Sequence, residues 1–268
     1  MKKKRLIPVL LLKNGWIVQS HKFTNFKNLG NPITSVKRLS EWCSDELIYL
    51  DISKEGKYDI KRDDQNYPNR ASFLDIIEDV AKMAFMPLSV GGNIKSIKDI
   101  EIRIKKGADK VCINTAALND ENLIKEAVKE FGSQCIINSV DTKKINGNYF
   151  VINTKIMKNT NLQIVDWVKK IEELGVGEIF VNSIDNDGVG DGYDIDLANK
   201  IKKNIKIPII FCGGAGSKED FSKLVKETDI DAVAAANIFH FSDQSLYYIK
   251  KHLFESNLNF REPKIFEI

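Results

Sequence analysis

Two segments of the chain match each other except at one residue that could do acid–base chemistry. Val9-Leu10-Leu11-Leu12-Lys13 and Ser139-Val140-Asp141-Thr142-Lys143 each close an apolar run and keep a lysine two positions after the central residue. That central residue is Asp141 in the second segment and Leu11 in the first. Two opposed carboxylates can act as general acid and general base on two faces of a substrate. The sequence therefore predicts one catalytic carboxylate, Asp141, whose partner position is occupied by Leu11.

Two glycine-rich turns are candidate phosphate sites. Gly91-Gly92 and Gly213-Gly214-Ala215-Gly216 each follow an apolar run and precede a helical pattern. Glycine lets the backbone approach a ligand closely, and the start of a helix offers free N–H groups to a phosphate. For one such turn, tight-turn geometry is the simpler explanation, but a related pair favours a ligand with a phosphate at each end. The other candidate ligand-binding residues at strand ends are Asn114, Thr115, Asp187, Gly188 and Asn237. For Asp187, capping of a turn or helix is an equally good interpretation.

Strands alternating with helices must position these residues. The β-rich runs are 6–12, 46–51, 87–90, 110–114, 135–140, 178–183, 207–212 and 231–235. The helix-period segments are 72–84, 97–106, 122–131, 162–174, 195–204, 218–227 and 245–254. Parallel strands need such crossovers, so the pattern predicts a single α/β domain over residues 1–268, a (β/α)₈ TIM barrel. An open doubly wound sheet is the alternative, but no GxGxxG opens the first helix.

An internal repeat supports the barrel. Residues 89–93 match 211–216, and residues 45–49 match 177–181, as expected for a duplicated half-barrel. Two stretches break this symmetry: a charged loop at 53–70 and a hairpin-like segment at 142–154 with an Asn146-Gly147 turn. Long loops that leave the strand ends of a barrel usually form the rim of the site, so we expect both there.

Composition narrows the class of protein. The chain has 268 residues, 43% of them hydrophobic, and a formal net charge of +3, so it carries no signature of nucleic-acid or membrane binding. The apolar stretch after the basic N-terminus is too short to span a bilayer, and we expect a cytoplasmic protein. Its four cysteines and three histidines form no CxxC pair or metal-ligand spacing. The sequence therefore predicts reduced thiols, no metal and no cofactor.

Several ordered motifs between about Lys4 and His252 resemble the HisF family, the synthase subunit of imidazole glycerol phosphate synthase. The motifs are Lys4-Arg5-Leu6-Ile7, Asp45-Glu46-Leu47, Leu50-Asp51-Ile52, the run from Gly107 to Ala117, Phe131-Gly132-Ser133-Gln134, Ser183-Ile184-Asp185-Asn186-Asp187-Gly188 and Gly213-Gly214-Ala215-Gly216. The resemblance implies a (β/α)₈ barrel that works beside a glutaminase subunit, HisH. In that family ammonia passes through the barrel to a bisphosphorylated substrate, and two aspartates close the imidazole ring.

Carried over by position, one of the two family aspartates falls on Asp141 and the other on Leu11. Three further positions depart from the family pattern: a glycine of the first phosphate turn is Asn93, a threonine is Val189, and a serine-like position is Asn237. A leucine neither takes nor gives a proton, so these changes suggest an altered ligand.

The opposite end of the barrel keeps the family's residues. Arg5, Glu46, Lys110 and Glu178 each begin a strand. Spacing alone favours solvent-facing charges there, whereas the resemblance implies the charged ring that gates the family's ammonia channel. It likewise places Asp109 and Gln134 on the glutaminase-docking face.

Three functions fit these observations. The first is a conduit that docks a HisH-like glutaminase and passes ammonia to an N-acetyl sugar amidotransferase for acetamidino modification of a bacterial surface sugar. The second is the cyclase of histidine biosynthesis, with Asp141 acting alone or with Asp51 or Asp187 in place of the missing carboxylate. The third, a phosphoribosyl isomerase, also resembles a two-aspartate design, so Leu11 counts against it. The conduit is the prediction that accounts best for Leu11 beside an intact charged ring.

Overall fold

Eight parallel strands close into a barrel in the computed structural model, which describes residues 2–54, 58, 63–64, 67–68 and 70–264. The strands of the described residues are β1 (Arg5–Lys13), β2 (Trp16–His21), β3 (Asn25–Gly30), β4 (Leu47–Asp51), β5 (Asp63–Asp64), β6 (Tyr67–Pro68), β7 (Leu88–Gly91), β8 (Lys110–Ile113), β9 (Ile136–Ile145), β10 (Asn148–Asn153), β11 (Lys158–Gln163), β12 (Glu178–Ser183), β13 (Ile209–Cys212) and β14 (Ala232–Ala235). The barrel order is β1-β4-β7-β8-β9-β12-β13-β14, and β14 pairs back with β1. The predicted (β/α)₈ fold is confirmed.

Helices on the outside connect successive barrel strands. They are α1 (Thr34–Glu41), α2 (Phe73–Met83), α3 (Ile97–Lys105), α4 (Thr115–Asn119), α5 (Glu121–Phe131), α6 (Ile164–Glu173), α7 (Ile195–Lys202), α8 (Lys218–Glu227) and α9 (Ser245–Glu255). Local sequence sets several of their starts: Ser72 and Ser96 accept hydrogen bonds from backbone N–H groups three residues on, and Ser217 forms a capping box with Asp220. The helices α1 and α4 were not predicted.

The alternation of side chains divides the apolar residues between two cores. On β1, Ile7, Val9 and Leu11 face the barrel interior, whereas Leu6, Leu10 and Leu12 pack beneath the helices. Successive side chains of a strand point to opposite faces of the sheet, so one residue of known orientation fixes the orientation of all the others on that strand. This rule places each candidate site residue inside or outside the barrel.

Two antiparallel additions extend the barrel beyond its strands. The predicted hairpin at 142–154 is present as the end of β9 paired with β10, and β11 adds a strand to it. A second hairpin, β2–β3, pairs with the end of β1 and was not predicted. Most of the predicted rim loop at 53–70 lies outside the described residues.

Candidate functional site

Asp141 lies near the carboxyl end of β9 and faces the barrel interior. Asp141 is in register with Asn182 on β12. Asn182 lies two residues after Phe180, which belongs to the interior core, so both point into the barrel. Its carboxylate accepts hydrogen bonds from Asn114 Nδ2 and Thr154 Oγ1, both at 2.7 Å, and from Asn182 Nδ2 at 3.4 Å. Only 4% of the residue is exposed. Burial raises the pKa of Asp141 above its ordinary value, although the three hydrogen bonds favour the charged form.

Leu11 belongs to the same interior and brings no polar atom into it. It is 8% exposed, is paired in register with Leu50 on β4 and Val18 on β2, and packs in the interior apolar core. Its environment is therefore that of an ordinary core leucine. The structure offers Asp141 no opposing carboxylate from this position.

The two predicted substitutes for that carboxylate differ in where they lie. Asp51 is in register with Leu12, which faces the outer core, and its carboxylate accepts bonds from Ser53 N at 2.9 Å and Tyr58 Oη at 2.7 Å. Asp51 is therefore turned away from the barrel interior. Asp187 follows β12, and its negative charge adds to the rise in the pKa of Asp141. Of the two, Asp187 is the one whose charge acts on Asp141.

The hairpin β2–β3 covers this end of the barrel. Ser20 Oγ donates to Asp187 Oδ2 at 2.6 Å, and the Phe23 N–H donates to the same oxygen at 3.2 Å. Asn237 holds the hairpin from the other side, since its Nδ2 donates to the Ser20 carbonyl at 2.7 Å and its Oδ1 accepts from Ser20 N at 3.3 Å. Burial raises the pKa of Asp187 above its ordinary value, and the Ser20 hydroxyl opposes that rise. The sequence signal nearest to it is the Asn14-Gly15 turn, with φ of 53° and 88°, which joins β1 to β2.

The predicted phosphate turns are built around close backbone contacts. A Cβ on Gly92 would lie 2.0 Å from the Asp51 carbonyl oxygen, and one on Gly214 would lie 2.0 Å from the Gly192 carbonyl oxygen. The same holds for Gly91 beside Cys112, Gly188 beside Ser20, Gly213 beside Ser183 and Gly216 beside Gly190. Packing against the protein's own backbone therefore accounts for these glycines without a ligand, and anion binding stays a prediction.

Some backbone N–H groups at the start of the helices that follow these turns already donate hydrogen bonds to side chains. Asp220 Oδ2 accepts hydrogen bonds from the N–H groups of Gly216 and Ser217 at 2.9 and 2.8 Å. Asp99 Oδ2 accepts from Lys95 N at 2.9 Å in the equivalent place on α3. A carboxylate already accepts from those N–H groups, so a phosphate at either turn has to rely on N–H groups that precede the caps. Thr115 begins the five-residue helix α4, next to Asn114, whose amide is bound to Asp141.

At the amino ends of the strands, four charged side chains form a closed ring of ion pairs. Arg5 Nη1 lies 2.6 Å from Glu46 Oε2 and 3.1 Å from Glu178 Oε1. Lys110 Nζ completes the ring at 3.1 Å from Glu46 and 3.4 Å from Glu178. Ser89 Oγ also donates to Glu46 Oε1 at 2.6 Å. The charges face one another across the barrel rather than facing solvent separately. Burial lowers the pKa of Arg5, but its pairing with Glu46 and Glu178 outweighs that effect and leaves the pKa raised.

The remaining predicted residues lie at the same end. Asp109 and Gln134 are exposed just before β8 and β9, and Asp109 Oδ2 accepts from Leu88 N at 2.8 Å. Within the described part of the chain there is no group of three His, Cys, Asp or Glu side chains able to hold a metal ion. The described helices are also too short or too polar to cross a membrane.

Comparison with known proteins gives one consistent result. The family described as "Histidine biosynthesis protein" matches residues 5–245. The imidazole glycerol phosphate synthase subunit HisF of Hydrogenobaculum sp. is 39% identical over 260 residues, which cover 96% of this chain and 98% of that protein. The proteins of the same name from Dehalococcoides mccartyi and Natranaerobius thermophilus are 38% and 37% identical, over 97% and 96% of this chain and 99% and 98% of theirs.

Proposed function

Since the chain belongs to the HisF family, we propose that it is the barrel subunit of a glutamine-dependent complex. In this proposal a HisH-type glutaminase docks at the amino ends of the strands, beside Asp109 and Gln134, and ammonia enters through the barrel. The observation that carries the proposal is the closed ring of Arg5, Glu46, Lys110 and Glu178. Paired charges can part and close again without leaving a net buried charge, which suits a gate for a small neutral molecule.

The first candidate for the reaction at the other end is the cyclase step of imidazole glycerol phosphate synthase. The names of the relatives support it, at 37–39% identity over nearly the whole chain. Asp141 supports it as well, because a buried carboxyl group with a raised pKa holds a proton more readily than an exposed one and can donate it. In this candidate Asp187 serves as the second carboxylate once the hairpin releases it.

The second candidate is a conduit, in which ammonia leaves the barrel for an acceptor on another enzyme. Leu11 favours it, because an apolar side chain occupies the place of one family aspartate and Asp187 is held by Ser20. The acceptor we propose for this case is the activated N-acetyl group of a bacterial surface sugar, handled by a separate N-acetyl sugar amidotransferase. Neither phosphate turn then needs to bind the histidine-pathway substrate.

Steady-state kinetics separate the two candidates. The purified chain is given the bisphosphorylated histidine-pathway substrate with ammonium salt, so that no glutaminase is needed. Turnover within the ordinary enzyme range of about 1–10³ per second supports the cyclase and rules out the conduit. Rates about 10²–10⁴-fold lower, the usual contribution of one acid–base group, support the conduit.

The docking part of the proposal has a separate test. Glutamine hydrolysis by the HisH-type partner is measured with and without the chain, and with a Gln134→Arg variant that places a bulky charge on the docking face. We expect stimulation by the native chain and weaker stimulation by the variant. An unstimulated glutaminase would contradict the shared complex for both candidates.

A further inference from the structure

Arg103 is a buried cation that the sequence analysis did not single out. It lies on α3, and only 6% of the residue is exposed. No described carboxylate lies within ion-pair distance of its guanidinium, although the charges of Asp99 and Asp51 act on it, and its Nε has no hydrogen-bond partner among the described residues. A buried N–H donor left without a partner costs free energy, so the position of this side chain calls for a reason beyond packing.

The guanidinium holds the first glycine turn. Nη2 donates to the Gly92 carbonyl at 2.8 Å, while Nη1 donates to the Asp99 carbonyl at 2.9 Å. The two bonds tie the turn to the helix that follows it. The opposite side of Gly92 lies against the Asp51 carbonyl, so the turn is fixed between a strand end and Arg103.

This contact sets the direction of the next N–H group. The described peptide bonds are all trans, so the N–H of Asn93 points opposite to the Gly92 carbonyl. That carbonyl points to Arg103 in the helix layer, so the Asn93 N–H points away from Arg103 and from that layer. No described residue accepts a hydrogen bond from it.

Asn93 itself preserves this geometry although it replaces a glycine of the family pattern. Its φ is 54°, in the left-handed region that asparagine tolerates better than most residues, and its Nδ2 donates to the Ser53 carbonyl at 3.4 Å. The backbone at this position therefore keeps the conformation that glycine would give.

We propose that Arg103 is a positioning residue for an anion site at this turn, where it fixes the Gly92 carbonyl and thereby presents the Asn93 N–H to a phosphate group. Its charge adds an attraction for the anion from behind the turn. The inference rests on the proposed function, because it assumes a phosphate-bearing ligand at this end of the barrel. In this inference Arg103 does not contact the ligand itself but orients the Asn93 N–H, which does.

Phosphate titration of the full chain tests the inference. With glycine and asparagine labelled in separate samples, the backbone amide resonances of Asn93 and Gly214 are followed by NMR as inorganic phosphate is added. We expect a saturable downfield shift of the Asn93 amide in the native chain. Arg103→Met should shrink that shift and raise the apparent Kd for phosphate at this turn about tenfold, because the freed turn no longer holds the Asn93 N–H in place and the charge behind it is gone.

Two further variants make the result specific. Lys105→Met removes the same charge from the exposed side of α3 and should leave the Asn93 response unchanged. Arg103→Lys keeps the charge and the fold but lacks the planar fork that bonds two carbonyls, so the Asn93 shift should shrink. The Gly214 response, at the second turn, should be the same in all three variants.

The possible failures differ from one another. If native Asn93 and Gly214 both ignore phosphate, anion binding at this end of the barrel is wrong, and the inference fails with it. If native Asn93 responds but the response is unchanged in both Arg103 variants, phosphate binding stands and the role of Arg103 is wrong. A thermal unfolding curve for each variant confirms that the folded chain is compared.

Discussion

Replacing Leu11 by aspartate would restore the missing carboxylate, and the structure allows its cost to be worked out. Leu11 is 8% exposed, so removing its apolar side chain from the interior costs about 2 kcal/mol. The new carboxylate would face apolar neighbours such as Val18 and Leu50. A rise of about two pKa units in this setting adds about 2.7 kcal/mol at neutral pH. We expect the free energy of unfolding to fall by about 4–5 kcal/mol at pH 7.5.

The pH dependence of that loss has a fixed sign. A carboxyl group whose pKa is higher in the folded chain than in the unfolded chain holds more protons in the folded state between those two values. Stability therefore falls as pH rises through that window. The charge-related part of the loss should disappear near pH 4, leaving about 2 kcal/mol. Leu11→Asn, which loses the same packing without gaining a charge, should show no such difference between the two pH values.

Activity provides the second measurement on the same variants. If the rest of the site remains that of a cyclase, Leu11→Asp should raise ammonium-dependent cyclisation by about 10²–10⁴-fold, and Leu11→Asn should not. The Asp141→Asn change in the Leu11→Asp background should remove the gain, since the two carboxylates act as a pair. A folded Leu11→Asp variant with the unaltered rate of the native chain would refute the reasoning that this single position separates the two functions.

Three further changes test other parts of the barrel. Glu46→Gln removes one of the two negative charges that pair with Arg5 and Lys110, so the free energy of unfolding measured in urea should fall by about 3 kcal/mol. Gly188→Ala should cost about 2–4 kcal/mol and expose the β2–β3 hairpin to limited proteolysis, because its φ is 69° and a Cβ would lie 2.3 Å from the Ser20 carbonyl oxygen. Thr154→Val removes a 2.7 Å hydrogen bond to charged Asp141, which raises the pKa of that carboxyl further. Its loss of about 1–3 kcal/mol should therefore be present at pH 7.5 and absent near pH 3.5.

Each of the three has a matched control. Glu101→Gln breaks an exposed pair on α3 and should lower the free energy of unfolding far less than Glu46→Gln does. Gly147→Ala has a similar φ of 81° but open space around the new methyl group, so only the conformational cost of about 1–2 kcal/mol remains. Thr24→Val removes an exposed hydroxyl and should show no pH dependence. A control variant whose free energy of unfolding falls as much as that of its test variant would contradict the structural explanation.

The barrel itself could be predicted because its signal is repeated eight times. Every predicted strand is present, with ends that differ by one or two residues from the observed ones except at β9, which runs on to Ile145. The missed strands β2 and β3 follow a single turn signal, Asn14-Gly15 after β1, and β10 and β11 follow Asn146-Gly147 after β9 in the same way. Helix α6 begins at Ile164 rather than at 162 because the last residues of β11 pair with β10.

The surroundings of Asp141 show why a site is harder to predict than a fold. Asp141 itself was identified by comparing the two halves of the chain. Two residues that bond to it lie far along the chain: Asn182 on β12, 41 residues away, and Thr154 in the turn after β10, 13 residues away. Their roles depend on strand register and on the path of the β10–β11 turn. Arg103 was missed for the same reason, since a helical arginine gives no sign that one of its partners is a carbonyl group in the turn before the helix.

The two ends of the barrel differ in the polar groups that they bury, and energy alone does not explain the difference. Apolar side chains of similar size could replace a buried ion-pair ring with little loss of stability, so the ring at Arg5 and Glu46 is weak evidence of a stabilising role. At the other end Leu11 is what stability alone would favour, because it packs like any core residue. Under the proposed function, costly charges where ammonia would enter and an apolar residue where a proton would be transferred are what the conduit candidate predicts, whereas the names of the HisF relatives support the cyclase candidate. Leu11→Asp tests this argument directly, since it places a carboxylate at the carboxyl ends of the strands and leaves the charged ring at their amino ends unchanged.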